Sequence, residues 1–177
     1  MNLKILQLIK NKLNYLLKDK KVLDIIVFGS AVKGKLTPRD VDVALILHDL
    51  KIVPKAIDGF HFSVLSPEDF VINPPTLINT LLREGYSLRK NCFLAEAYKF
   101  LGRVLFIYDL HGLNSSQKVR IVNVLRGKNK ARGLVEANGG KWLANGVFII
   151  PIYYDNVFER FFANFKIKYT KNYLLMH

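Results

Sequence analysis

The chain has 177 residues, half of them hydrophobic, which is enough for one ordinary domain or a small domain with a compact appendage and excludes wholesale disorder. A single cysteine, Cys92, excludes an internal disulfide framework and argues against a cysteine-based zinc site. The 27 basic residues oppose 14 acidic ones, and the net charge of +13 favours anionic partners, with nucleic acid ahead of a membrane surface.

The apolar stretches are short. The longest, such as residues 147–154, fall far below the length of a membrane span. Polar residues interrupt the apolar pattern of residues 1–6, where a secretory signal would be continuous. We therefore expect a cytoplasmic protein without a membrane partner.

The first part of the chain alternates between helical and strand-like patterns. Residues 3–18 place leucine and isoleucine at three- and four-residue spacing, which predicts an amphipathic helix. Runs rich in branched residues predict strands over 22–28, 41–47 and 60–65, the last followed by a helix start at Ser66-Pro67. Further predicted elements are helices over 75–82 and 93–101 and a strand over 104–108.

The second part of the chain is shorter and more basic. Its predicted elements are a helix over 115–125, a strand over 147–154, a helix over 157–165 and a strand over 167–175. Ser115 or Ser116 would cap the first helix and Gly127 would end it. Residues 1–108 carry 16 basic and 10 acidic residues, against 11 and 4 in residues 109–177. This shift predicts a domain boundary near Asp109.

A glycine-serine corner and two aspartates lie on consecutive predicted strands. The first strand ends in Gly29-Ser30, where a residue without Cβ lets the backbone approach a ligand, and a helical turn beginning at Ser30 would present N–H groups to a triphosphate. The next strand opens with Asp40 and Asp42, whose side chains share a face because side chains alternate along a strand. Two carboxylates roughly 7 Å apart repel unless a cation relieves them. Mg²⁺ prefers oxygen ligands, binds nucleotide phosphates and can activate a hydroxyl.

The order of Gly29-Ser30, Gly34 and Asp40-Val41-Asp42 resembles the nucleotidyltransferase superfamily, which includes DNA polymerase beta, the kanamycin nucleotidyltransferases and the minimal nucleotidyltransferases. The resemblance covers about residues 1–70. It implies an α+β fold, with a nucleotidyltransferase-like mixed sheet flanked by helices over residues 1–108. Residues 109–177 would form a small basic α/β extension.

The resemblance also implies an activity. Asp40 and Asp42 would bind Mg²⁺, Gly29 and Ser30 would contact the phosphates of a nucleoside triphosphate, and Lys33 or its neighbour Lys35 would neutralise charge. The reaction would transfer a nucleoside monophosphate to a hydroxyl group of RNA, of a protein or of a small molecule. The alternative is an ordinary turn followed by a solvated strand end.

One departure from the family pattern concerns the third carboxylate, which the superfamily supplies from the next strand. Alternation places His61 in that slot, and histidine is a poor Mg²⁺ ligand. Three readings follow: His61 removes the proton from the attacking hydroxyl, an off-phase carboxylate such as Asp58 replaces it, or catalysis has been lost. In the last case the protein would be an inactive nucleotidyltransferase-fold module that binds RNA or the ribosome.

The basic residues of the carboxyl-terminal part are concentrated in one stretch without acidic residues. Its candidate nucleic-acid contacts are Lys118, Arg120, Arg126, Lys128, Lys130 and Arg132. Residues 126–133 are typical of a loop that follows a phosphate backbone, with RNA as the favoured partner. The aromatic residues Trp142, Tyr153 and Tyr154 could stack on bases, although the favoured interpretation places Trp142, Phe148 and Phe161 in the core.

Overall fold

The structure, a computed structural model, describes residues 3–35, 37–48, 50, 54–129 and 131–177. The chain forms two compact units, of which the first runs to Leu101 and includes His177, and the second comprises Gly102–Met176. The sequence predicted a boundary near Asp109. The division falls earlier because the strand that ends at Asp109 pairs within the sheet of the second unit.

The first unit begins with helices and a three-strand segment. Its elements are α1 (Leu3–Lys12), α2 (Asn14–Leu17), β1 (Val22–Phe28), β2 (Val41–Leu47), β3 (Phe60–Leu65), α3 (Thr76–Glu84), β4 (Tyr86–Ser87), β5 (Cys92–Phe93) and α4 (Leu94–Ala97). The predictions of β1, β2 and β3 are confirmed at both ends. The predicted helix over 93–101 is wrong beyond Ala97, because Lys99 adopts a φ of 62° and Phe100 N–H bonds back to the carbonyl of Ala95.

The five strands of the first unit form a mixed sheet in the order β3-β2-β1-β4-β5, in which β2 and β3 are parallel and the other pairs are antiparallel. One face packs Ile26, Ala44 and Ile46 against residues of α3 and α4. Alternation directs Ile25 and Val43 to the opposite face, and both are fully buried. The sheet is therefore covered on both faces, and the predicted α+β class is confirmed.

The second unit is a four-stranded sheet with three helices among its described residues. Its elements are β6 (Leu101–Asp109), α5 (Ser115–Arg126), α6 (Leu134–Ala137), β7 (Lys141–Ala144), β8 (Val147–Pro151), α7 (Asp155–Asn164) and β9 (Lys168–Met176). The strand order is β7-β8-β6-β9, and β8 is antiparallel to both of its neighbours. Phe106, Phe148, Phe158 and Phe162 are fully buried and form an aromatic core.

Two predicted ends in this unit are corrected. Asn114, rather than Ser115 or Ser116, caps α5, because its side chain accepts the N–H of Gln117 at 2.9 Å. The strand predicted over 147–154 ends at Pro151, where a short 3-10 turn begins. Gly127 ends α5 as predicted, with a φ of 91°. Among the described residues, no helix combines the length and the apolar character that crossing a membrane would require.

Candidate functional site

The glycine-serine corner lies beside Asp42. Strand β1 ends at Phe28, which pairs with Asp42 across the antiparallel ladder, and residues 29–31 form a single 3-10 turn. Gly29 has a φ of 72°, and a Cβ built on it would lie closer than 3.0 Å to Asp42 Oδ2. Only glycine therefore fits this position while the carboxylate keeps its place.

His61 lies on the other side of Asp42. The parallel register of β2 and β3 pairs the two residues, and His61 Nδ1 is 3.7 Å from Asp42 Oδ1. The side chain of Asp42 is 38% exposed and that of His61 is 69% exposed. Asp42 is thus an accessible carboxylate between the Gly29 corner and an imidazole.

Asp40, unlike Asp42, precedes the first residue of β2. It is exposed and lies in the bend before β2, whose first residue, Val41, donates its N–H to the carbonyl of Gly59 at 2.8 Å. The sequence predicted that both aspartates share a face because side chains alternate along a strand. Only Asp42 lies within the strand, so alternation determines the face of Asp42 alone. Over the described ranges, no three His, Cys, Asp or Glu side chains are grouped to hold a metal ion, so Asp40, Asp42 and His61 form no such group.

A buried carboxylate, Glu84, occupies the other side of the corner. Its Oε1 accepts the N–H of Gly29 at 3.1 Å, and its Oε2 lies 2.7 Å from the ammonium of Lys33. The Glu84 side chain is only 3% exposed, and a buried carboxylate requires such donors. Two groups predicted to hold phosphate, the Gly29 N–H and Lys33, therefore both bind Glu84. Ser30 lies half-buried in the turn that follows Gly29.

The sequence carries no signal for Glu84. The residue ends α3, 55 positions after Gly29, where a glutamate is usually a solvated helix end. Asp69, by contrast, belongs to the helix start that the sequence predicted at Ser66-Pro67, because its carboxylate accepts the N–H of Ser66 at 2.7 Å.

Comparison with known protein families, curated proteins and solved structures finds no match. The interpretation of the site therefore depends on its own geometry and charge.

The predicted nucleic-acid contacts lie in the second unit. Lys118 and Arg120 are on α5, Arg126 is its last residue, and Lys128 and Arg132 are exposed in the loop that follows. Lys130 lies outside the described residues. A Cβ on Gly127 would collide with the carbonyl of Ala131, and one on Gly133 with the backbone after Arg126. We call the described residues 127–129 and 131–133 the basic loop. Its two ends are in direct backbone contact.

Arg126 is held by two neighbours. Its guanidinium carbon is 4.0 Å from the centre of the Trp142 ring, and its Nη2 donates to Asn145 Oδ1 at 3.1 Å. Trp142 is half-buried and packs on Phe148, the fully buried member of the predicted core aromatics. Phe161 is also partly buried. The sequence predicted Arg126 as a nucleic-acid contact but not its indole platform, because nothing local links residues 126 and 142.

Proposed function

We propose that the protein is a Mg²⁺-dependent nucleotidyltransferase that moves a nucleoside monophosphate from a nucleoside triphosphate to a hydroxyl acceptor, with RNA as the favoured acceptor and a protein as the alternative. The observation that carries the proposal is the packing of Asp42 against the Gly29 corner with His61 at 3.7 Å. An accessible carboxylate is thereby kept beside a turn that admits only glycine. The nucleotidyltransferase-like character of the fold belongs to the same proposal.

The residues present fit Mg²⁺ by type. This ion is usually held by one or two carboxylates together with water and substrate phosphates, so a dedicated group of three protein ligands is not required. Asp42 is accessible and Asp40 is exposed. Bound with the nucleotide, Mg²⁺ would neutralise the phosphates and assist the departure of pyrophosphate.

The other side chains of the site would accept a proton or hold the Gly29 corner in position. His61, next to Asp42 on the neighbouring strand, is the candidate for accepting the proton of the attacking hydroxyl. Glu84 binds the Gly29 N–H and Lys33 at once and would keep the corner in place beneath the triphosphate. Lys33 would then act through Glu84 rather than as a free phosphate ligand.

A second candidate function is an inactive nucleotidyltransferase-fold module that binds RNA or the ribosome. Two observations favour it: His61 stands opposite Asp42 where a carboxylate would complete the set, and the Gly29 N–H already has Glu84 as its partner. The basic stretch of the second unit serves either function equally well.

The experiment that separates them measures transfer of label. The protein is incubated with each labelled nucleoside triphosphate, Mg²⁺ or Mn²⁺ and total RNA, and label is measured in both the RNA and the protein fractions. Asp42→Asn should abolish transfer. The matched control is Asp19→Asn, which alters an exposed aspartate of the same unit whose carboxylate accepts the nearby backbone N–H of Lys21, and it should keep transfer. Absence of transfer under every condition, together with salt-sensitive RNA binding, would establish the binding module instead.

A further inference from the structure

The second unit has a cavity of about 240 Å³ beside the last turn of α5. Its lining combines ring, guanidinium and amide groups with two aliphatic side chains: Tyr108, Leu110, Val122, Arg126, Asn145 and Gly146. Pockets for drug-sized ligands are larger, roughly 300–1,000 Å³. The cavity therefore suits one planar ring system rather than a whole nucleotide or a peptide.

Arg126 is pre-organised at this cavity. The cation–π contact with Trp142 and the hydrogen bond to Asn145 fix the guanidinium, so less side-chain freedom is lost when a ligand binds. The Trp142 Nε1–H is buried and has no hydrogen-bond partner within the described part of the chain. A phenylalanine would fill the site without that unsatisfied group, but tryptophan is the strongest cation–π partner. The indole is therefore best explained as a platform for Arg126.

The opposite wall is also fixed by backbone contacts. Tyr108 N–H donates to the carbonyl of Gly146 at 2.9 Å, and a Cβ on Gly146 would come within 2.9 Å of the Tyr108 carbonyl. Burial raises the pKa of Tyr108, although nearby Arg126 opposes the rise. The phenol is consequently a neutral hydrogen-bond donor at physiological pH. The Tyr108 phenol, the Arg126 guanidinium and the Asn145 amide thus line a space of nucleobase size.

The stretch of chain that carries Arg126 is cationic. Residues 111–135 contain no acidic residue and carry all six predicted nucleic-acid contacts. The backbone closure between Gly127 and Gly133 keeps the basic loop next to Arg126. Lys128 and Arg132 are exposed in this loop and are therefore available to neutralise the phosphates next to a base that enters the cavity.

We propose that this cavity binds one unpaired base of a single-stranded RNA, stacked on the Arg126 guanidinium and hydrogen-bonded by Tyr108 and Asn145. Bases within a duplex are stacked and paired, so only an unpaired base can enter, and guanidinium planes and aromatic rings are its usual stacking partners. The inference deepens the nucleic-acid part of the proposed function. It does not require the transfer reaction.

The test is equilibrium binding of the whole 177-residue chain to labelled oligonucleotides, measured by fluorescence anisotropy in the absence of nucleotide and divalent ions. Three probes of about 12 nucleotides are compared: a single-stranded RNA, the same RNA as a duplex, and the single strand with abasic positions. The intact single strand should bind about tenfold more tightly than the abasic strand. Arg126→Lys keeps the charge but loses the planar group, and should remove this preference.

Matched variants make the result specific. Arg160→Lys makes the same change at an exposed arginine of α7, outside the basic stretch, and should keep the tenfold preference. Asn145→Ala removes the anchor of Arg126 from an exposed turn and should weaken the preference without replacing a charged group. Lys128→Gln should reduce the slope of log affinity against log salt concentration by about one, as expected for the loss of one phosphate contact. The preference for intact bases should remain.

Equal binding of intact and abasic strands by the wild-type protein, or equal loss in Arg126→Lys and Arg160→Lys, would overturn the base-binding cavity. A different result would overturn the enzyme proposal. A protein that prefers intact strands but never transfers label retains the cavity and loses the enzyme. One that transfers label without this preference loses only the cavity.

Discussion

Each unit buries one carboxylate against a lysine, and the two pairs differ in what else they bind. In the second unit, the Asp155 carboxylate accepts hydrogen bonds from the ammonium of Lys171 at 2.8 and 3.1 Å and from the hydroxyl of Tyr173 at 2.7 Å. Lys171 also forms an ion pair with Glu159. These groups all belong to α7 and β9, so the network joins a helix to the strand that follows it.

The pair in the first unit also binds the backbone of the candidate site. One carboxylate oxygen of Glu84 binds Lys33, and the other accepts the N–H of Gly29, at the corner beside Asp42. The same chemistry therefore joins two secondary-structure elements in one unit and a helix to the candidate site in the other. Disrupting the Asp155–Lys171 pair should reduce stability alone. Disrupting the Glu84–Lys33 pair should reduce stability less and the proposed transfer more.

The largest expected effect is that of Lys171→Met. Asp155 is 1% exposed, and removing its cation leaves a buried charge, which typically costs about 3 to 5 kcal/mol of unfolding free energy. Urea denaturation measures the loss. Adding Asp155→Asn to the variant removes the orphaned charge and should restore part of the stability, whereas a loss below about 1 kcal/mol in the single variant would show a weakly coupled surface pair.

The same pair predicts how stability depends on pH. Burial by itself lowers the pKa of Lys171, but hydrogen bonds from Lys171 to Asp155, Glu159 and Tyr173 outweigh it and raise the pKa above the ordinary lysine value of 10.5. The stabilisation is therefore complete below pH 10.5 and is lost as the pH rises through the folded-state value. Wild-type unfolding free energy, measured upward from about pH 8, should fall in strongly alkaline solution. A curve of the same shape in Lys171→Met would assign the fall to other groups.

Local patterns predicted most of what brings the Gly29 corner to Asp42. Branched residues and alternation define β1 and β2, and an antiparallel ladder between them sets Phe28 opposite Asp42. Glu84 could not be predicted, because its burial depends on how α3 packs on the sheet, 55 residues from Gly29. For the same reason the indole beneath Arg126 was not foreseen. Periodicity reports which face of an element is buried, not which distant side chain meets it there.

A smaller effect is expected from Glu84→Gln. The amide keeps the volume and can still accept the Gly29 N–H, but Lys33 loses its anion, so we expect a loss of about 1 to 3 kcal/mol in unfolding free energy. If Glu84 positions the corner, kcat for label transfer should fall by more than the fraction of folded protein does. The control Glu68→Gln changes an exposed glutamate of the same unit and should stay within about 0.5 kcal/mol of wild type with transfer intact. Transfer that tracks stability alone would make Glu84 a purely structural residue.

The smallest stability effect, and the sharpest test of the site, comes from two glycines with almost the same positive φ. Gly29 has a φ of 72° and Gly59 a φ of 75°, so alanine at either position should cost about 1 to 2 kcal/mol through left-handed strain. Their surroundings differ. A Cβ on Gly29 would displace the Asp42 carboxylate, whereas one on Gly59 would meet, among the described residues, only the Arg39 carbonyl at an ordinary 3.7 Å.

Gly29→Ala and Gly59→Ala should therefore melt at similar temperatures, because the strain is shared and the Asp42 side chain can rotate away at little cost. Label transfer should be lost only in Gly29→Ala, since the carboxylate that rotates away is the one proposed to bind the metal ion. Calorimetry and the transfer assay on the same preparations separate the two effects. Equal transfer by both variants would mean that the position of Asp42 beside the glycine corner is a packing feature without a part in catalysis.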